Sequence, residues 1–116
     1  MKASLAEILA KMPGPVTPNW PGGEPFADAF RHGTMSVEVF APRGTDAQEP
    51  HDQDELYFVV GGTAEFVHMG KRMAVANGDA LFVPAHDTHH FEKMSADFTT
   101  WVVFWGPKGG EKNNAI

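Results

Sequence analysis

The stretch Glu49-Pro50-His51-Asp52-Gln53-Asp54-Glu55-Leu56-Tyr57-Phe58-Val59-Val60-Gly61-Gly62 places one histidine and several carboxylates just ahead of an apolar run that ends in two glycines. Runs of this kind, rich in Val, Phe and Tyr and stopped by Gly, read as β-strand followed by turn. In an extended segment, side chains at even separations share a face. Glu49, His51, Gln53 and Glu55 therefore point one way, and Asp52 and Asp54 the other. An imidazole with one or two carboxylates on the inside of a β-structure suits a divalent first-row metal.

A second stretch repeats the pattern. Gly78-Asp79-Ala80-Leu81-Phe82-Val83-Pro84-Ala85-His86-Asp87-Thr88-His89-His90-Phe91 is again turn, strand and histidine-bearing loop. From a neighbouring strand, His89 completes a set of two histidines and one carboxylate. With its open positions, that arrangement is associated with non-haem Fe(II) and also accepts Mn, Ni, Co or Zn.

Outward from these stretches, the rest of the chain reads as turns and short strands. Strands are expected at residues 36–40, 56–60, 63–68, 72–76, 80–83, 89–94 and 98–105. Gly61-Gly62 and Asn77-Gly78 are expected to close hairpins, and Met69-Gly70-Lys71 a further turn. Seven or eight such strands indicate an all-β sandwich or barrel. At the N-terminus, Ser4 and Glu7 have the spacing of a capping box, and Leu5, Ile8, Leu9 and Met12 recur on one helical face. A short helix over about residues 4–12 follows, ended by Pro13-Gly14-Pro15. Residues 13–25, with five prolines and three glycines, form an extended arm that joins the helix as a strap over the barrel. The divisions are then 1–25 for helix and arm, 26–106 for the barrel and 107–116 for a fraying tail.

Composition narrows the function. The 116 residues make one domain, and 12 glycines and 9 prolines favour short strands and frequent turns. A net charge of −6 argues against nucleic acid, which needs clustered Lys and Arg. With no cysteine, any metal is held by His, Asp or Glu. No apolar run nears the roughly 20 residues that cross a bilayer, and no secretory signal opens the chain; a cytoplasmic protein is expected. Leu56–Val60 and Trp101–Trp105 are apolar on both faces. A barrel strand turns one face to its own core, so the outer face needs a cover, and a homodimer is expected.

The two motifs resemble those of the cupin superfamily. His51-x3-Glu55-x6-Gly62 is similar to the latter part of its first motif, and Gly78-x5-Pro84-x-His86-x2-His89 to its second. The resemblance covers roughly residues 34–105 and implies an all-β, cupin-type double-stranded β-helix, or jelly-roll barrel. It also implies that His51, Glu55 and His89 are metal ligands. Glu49 stands where the family has a further histidine, which makes it a possible fourth ligand. His86 replaces a motif glycine and Lys93 a motif asparagine. His86 is thus a candidate substrate contact or acid–base group at the pocket mouth. Tyr57, sharing a face with Glu55, is a second candidate, and Phe66, Phe91 and Trp101 are further candidates to line the cavity.

The expected function is a metal-dependent reaction on a small organic molecule inside the barrel, with an oxygenase using Fe(II) or Mn(II) favoured. Isomerases, lyases and non-catalytic binding or sensor modules are the alternatives. A sugar-nucleotide epimerase is disfavoured, because few basic residues stand near the pocket.

Overall fold

In the computed structural model, which describes residues 1–112, one short helix precedes eight strands. The helix α1 spans Leu5–Leu9. The strands are β1 Phe26–His32, β2 Met35–Phe40, β3 Asp54–Gly61, β4 Thr63–His68, β5 Lys71–Ala76, β6 Ala80–Val83, β7 His89–Glu92 and β8 Thr99–Trp105. They form a five-stranded sheet in the order β1-β2-β8-β3-β6 and a three-stranded sheet in the order β5-β4-β7. All pairings are antiparallel.

Alternation along each strand decides what faces the core. Register places Glu38, Val102 and Tyr57 side by side across β2, β8 and β3, and Phe104 beside Glu55. Tyr57, Val59, Val83, Leu81 and Val102 meet Phe66, Phe91 and Val75 of the small sheet in one buried cluster. Tyr57, Phe66, Phe91 and Phe98 are among its largest fully buried side chains, and aromatic edges meet faces within it, as for Tyr57 and Phe91 at 5.0 Å and 84°.

Several local expectations are corrected. Gly61-Gly62 and Asn77-Gly78 are not hairpin turns, because β3 and β4, like β5 and β6, belong to different sheets. They are corners where the chain crosses between layers. Gly62 has φ +74, and a Cβ there would collide with Ser95 Oγ and lie 2.7 Å from Phe98 N. The corner thus needs glycine for its backbone angle and for the close approach of a neighbouring segment. Glycine provides both in a hairpin and in a corner, which is why sequence alone does not separate the two cases. Met69-Gly70 does turn between paired strands, both residues with positive φ.

The helix is shorter than its apolar spacing suggests, and Ser4 makes no side-chain cap. Pro13 and the compact 3₁₀-like bonds Lys11 N–H to Ile8 and Met12 N–H to Leu9 end it early. α1 packs on β1 and β2, Ile8 is buried, and Trp20 sets its ring edge-on to Phe26 and Phe40. The segment after β8 is hydrogen-bonded back to the barrel. Gly109 N–H donates to the Asp52 carbonyl at 2.6 Å and Glu111 N–H to Asp54 Oδ2 at 2.9 Å, which ties this segment to the start of β3. The remainder of the expected tail, 113–116, lies outside the described residues. Among the described residues no helix is long and apolar enough to cross a membrane.

Candidate metal centre

His51 stands in the loop before β3, Glu55 near the start of β3 and His89 at the start of β7. The two sheets thus contribute facing ligands. Glu55 Oε1 lies 2.9 Å from His89 Nε2 and 3.4 Å from His51 Nδ1, and one atom from each residue falls within 4.8 Å of the others. Glu55 and His89 are buried, His51 partly open.

Proton positions make this cluster more than an ion pair. His89 Nδ1 lies 2.8 Å from the Asp87 carbonyl. A carbonyl only accepts, so Nδ1 carries the proton and, in the neutral ring, Nε2 presents a lone pair to Glu55. Two acceptors at 2.9 Å repel unless a proton or a cation lies between them. Neither short contact has hydrogen-bond alignment: His51 Nδ1, Glu55 Oε1 and His89 Nε2 are the three buried side-chain polar atoms left without a hydrogen-bond partner among the described residues. Bonds of about 2.1 Å to one ion would separate adjacent ligand atoms by roughly 3.0–3.4 Å, close to the two spacings from Glu55. The donor set therefore fits a divalent cation.

The electrostatics allow a proton in that place as well. Burial alone would raise the Glu55 carboxyl, but His51 and His89 outweigh it and hold it below the usual range. Burial alone would lower the His89 imidazole, and the facing Glu55 carboxylate raises it on balance. Each partner stabilises the charged form of the other.

The remaining candidates separate. Tyr57 is fully buried and lines the cavity; its hydroxyl donates to Gln48 Oε1 at 2.9 Å. Burial, aided by the charge of Glu55, pushes its phenol well above the ordinary value, so it keeps its proton. Glu49 is exposed on the rim of the cavity and outside the three-atom cluster. Residues 49–53 are not strand, so parity does not carry that far. Gln53, which shares the parity, instead donates to the carbonyls of Thr34 and Gly106. His86 is exposed and lines neither cavity. Its φ of +73 explains why a glycine suits this position, and its backbone N–H holds the His51 carbonyl at 2.7 Å. Phe66 and Phe91 fill the core, and Trp101, level with Phe58 and Val39, lies on the outer side; Phe104 takes the lining place, its ring 4.8 Å from that of His51.

Two further residues belong to the site. Glu38 on β2 projects into the same cavity, of about 390 Å3, as His51, Glu55 and Tyr57. Burial, with the charges of Asp28 and Glu55, pushes its carboxyl up to about 8. In the sequence it is one polar residue in an alternating strand, and only the register of β2 on β8 turns it inward. His68 holds Asp87 Oδ2 at 2.8 Å, and so steadies the loop whose carbonyl orients His89.

The Cupin domain family model matches residues 36–105, which is more than half of the chain. The chain is a cupin. An uncharacterized protein of Streptomyces coelicolor is 41% identical over 81 residues, covering 68% of this cupin and 77% of that protein. Among solved structures, KdgF from Halomonas sp. superposes with TM-score 0.62 at 21% identity, over 72% of this chain and 78% of its own. DMSP lyase DddQ from Ruegeria pomeroyi gives TM-score 0.60 at 23% identity, over 70% of this chain and 46% of its own. At these identities the structures share the fold. The jelly-roll expectation is met in that sense, with two facing sheets rather than a fully closed barrel.

Proposed function

We propose that this cupin binds one divalent transition metal through His51, Glu55 and His89 and transforms a small organic substrate in the cavity beside them, most simply as an oxygenase. The observation that carries this reading is the convergence of three buried ligand atoms that have no hydrogen-bond partner. A bound Fe(II) or Mn(II) would polarise a chelated substrate oxygen and supply redox chemistry with O2. The chain's own residues do the rest. Phe104, Phe40 and Val102 present an apolar wall to the substrate body, while Gln48 orients the Tyr57 hydroxyl beside the ligands. Asp46 in turn fixes Gln48, accepting from its side-chain amide at 2.6 Å and from the Phe91 N–H at 2.8 Å.

Metal analysis of protein purified without added metal is expected to find close to one equivalent of iron or manganese, and O2 uptake is expected with an oxygen-chelating substrate from a panel of catechols, β-diketones and 2-oxo acids. Metal at trace level would sink the metal reading. Full metal without O2 uptake would favour the second reading, a lyase or isomerase, for which Glu38 is the specific support. A carboxyl that faces the same cavity as the ligands is placed to exchange a proton with a substrate held there.

We also propose that the cupin is a homodimer. α1 covers the β1–β2 end of the outer face, where Val39 is fully buried. Beyond it, Phe58 and Phe82 are 42% and 51% exposed, with Leu56, Trp101, Val103 and Trp105 half-buried beside them. A contiguous apolar patch of this kind is suited to self-association. Sedimentation at micromolar concentration is expected to give a dimer for the native chain and a monomer for Phe58→Asp/Phe82→Asp. A native monomer would remove the claim.

A further inference from the structure

A second, larger cavity of about 790 Å3 adjoins the metal-facing one. The strap builds it. Gly14 N–H donates to Glu24 O at 2.8 Å and Glu24 N–H to Pro15 O at 2.9 Å, while Thr17 and Trp20 exchange backbone bonds at 3.2 and 3.0 Å. Residues 14–24 are thereby a closed loop with a defined shape rather than a loose arm. A Cβ on Gly23 would lie 2.7 Å from Pro13 Cβ, so the loop is also packed against its own base.

The lining is mostly apolar, from Leu9, Met12, Trp20, Pro25 and Ala41, and Arg43 is its one charged side chain. Arg43 is held in place by donating from Nη1 to the carbonyls of Phe98 and Pro42. Among the described residues no carboxylate reaches it, although this chain carries 15 acidic residues against 9 basic ones. A fixed guanidinium at the edge of an apolar cavity matches a ligand with an apolar body and an anionic end, and its planar fork favours a carboxylate. The volume is of the size that holds small organic ligands. Asn19, Trp20 and Ala47 line both cavities, so the two compartments meet at Trp20.

We propose that the strap and the loop carrying Arg43 form a binding subsite for an amphipathic organic carboxylate, with Arg43 taking the carboxylate and the strap enclosing the apolar body. Only the direction of an occupant long enough to pass Trp20, toward His51, rests on the metal-centre reading. The subsite itself does not.

The test uses octanoate, with 1-octanol as its uncharged counterpart, and calorimetric titration of the full chain stripped of metal by chelator. Removing the metal keeps a carboxylate from binding simply as a chelator. Saturable binding of one octanoate is expected. Arg43→Met should weaken it at least tenfold and leave 1-octanol binding unchanged, and Arg43→Lys should lie between. Gly22→Trp should weaken binding of both probes, because Gly22 lines this cavity and not the metal-facing one, and a Cβ there meets nothing within 4 Å, so the added bulk displaces no neighbour. That variant also decides the matter if Arg43→Met fails to fold. The proposal is overturned if octanoate does not bind the metal-free chain, if Gly22→Trp leaves its binding intact, or if folded Arg43→Met binds it as the native chain does. Metal content of the native protein, measured separately, bears on the metal centre alone.

Discussion

Replacing His89 by alanine is expected to lower retained metal at least tenfold and to destabilise the metal-free protein by about 3 kcal/mol, since removing one member of a buried charge pair leaves the other uncompensated. His89 is 4% exposed and its ring bridges the Asp87 carbonyl and Glu55. Its loss strands a buried carboxylate, which is then driven to take up a proton. His51→Ala separates the two consequences. The His51 side chain is 35% exposed and lies farther from Glu55, so metal should fall as steeply while stability changes little. His90→Ala is the control: the His90 side chain is 41% exposed and its ring faces Glu92, at 3.3 Å, rather than the cluster. Metal content by mass spectrometry and thermal unfolding with chelator would check all three. Stoichiometric metal in either His51→Ala or His89→Ala would refute the ligand assignment.

The second expected result concerns Glu38. Burial, with the charges of Asp28 and Glu55, pushes its carboxyl up to about 8 in the folded protein against 4.5 for the free group. Below 4.5 both states carry the proton. Between 4.5 and 8 the unfolded chain ionises while the folded one does not, so stability falls as pH rises through this window and levels off above it. Each pH unit of that separation is worth about 1.4 kcal/mol. Allowing for water in an open cavity, the loss is on the order of 2–3 kcal/mol, or roughly 10 °C in melting temperature for a domain of this size. Glu38→Gln removes the titrating group and should flatten this part of the curve, making the variant the more stable protein at pH 8.5. The comparison belongs in chelator, because a cation at Glu55 would draw the Glu38 carboxyl down. Parallel melting curves for the two proteins between pH 5 and 8.5 would show that Glu38 is not held neutral.

Much of this molecule follows from local sequence. Period-two alternation placed seven of the eight strands to within about two residues, because each half-buried strand must write its two faces into the chain. β1 was less legible: Phe26-Ala27-Asp28-Ala29-Phe30 contains a register shift between Asp28 and Phe30 that breaks the alternation. Parity within β3 also paired Tyr57 with Glu55 correctly. The convergence of His51, Glu55 and His89 was suggested by parity together with the resemblance to the cupin motifs, because all three lie in or beside strands whose ends the glycines mark.

What tertiary structure decided lies where the backbone leaves regular geometry or where partners are far apart in sequence. Parity failed at Gln53, since an irregular loop has no fixed period, and that side chain turns to Thr34 and Gly106 while Glu49 stays on the exposed rim. Gly61-Gly62 and Asn77-Gly78 carry the same local chemistry whether they close a hairpin or cross between sheets; only the layer assignment of the following strand distinguishes these. Glu38 becomes a cavity residue through the register of β2 against β8, separated from it by some sixty positions in the chain. The strap shows the same division. Its prolines and glycines announce an extended segment, but Arg43 and Trp20 meet around one cavity only because residues 14–24 fold back on themselves over the barrel.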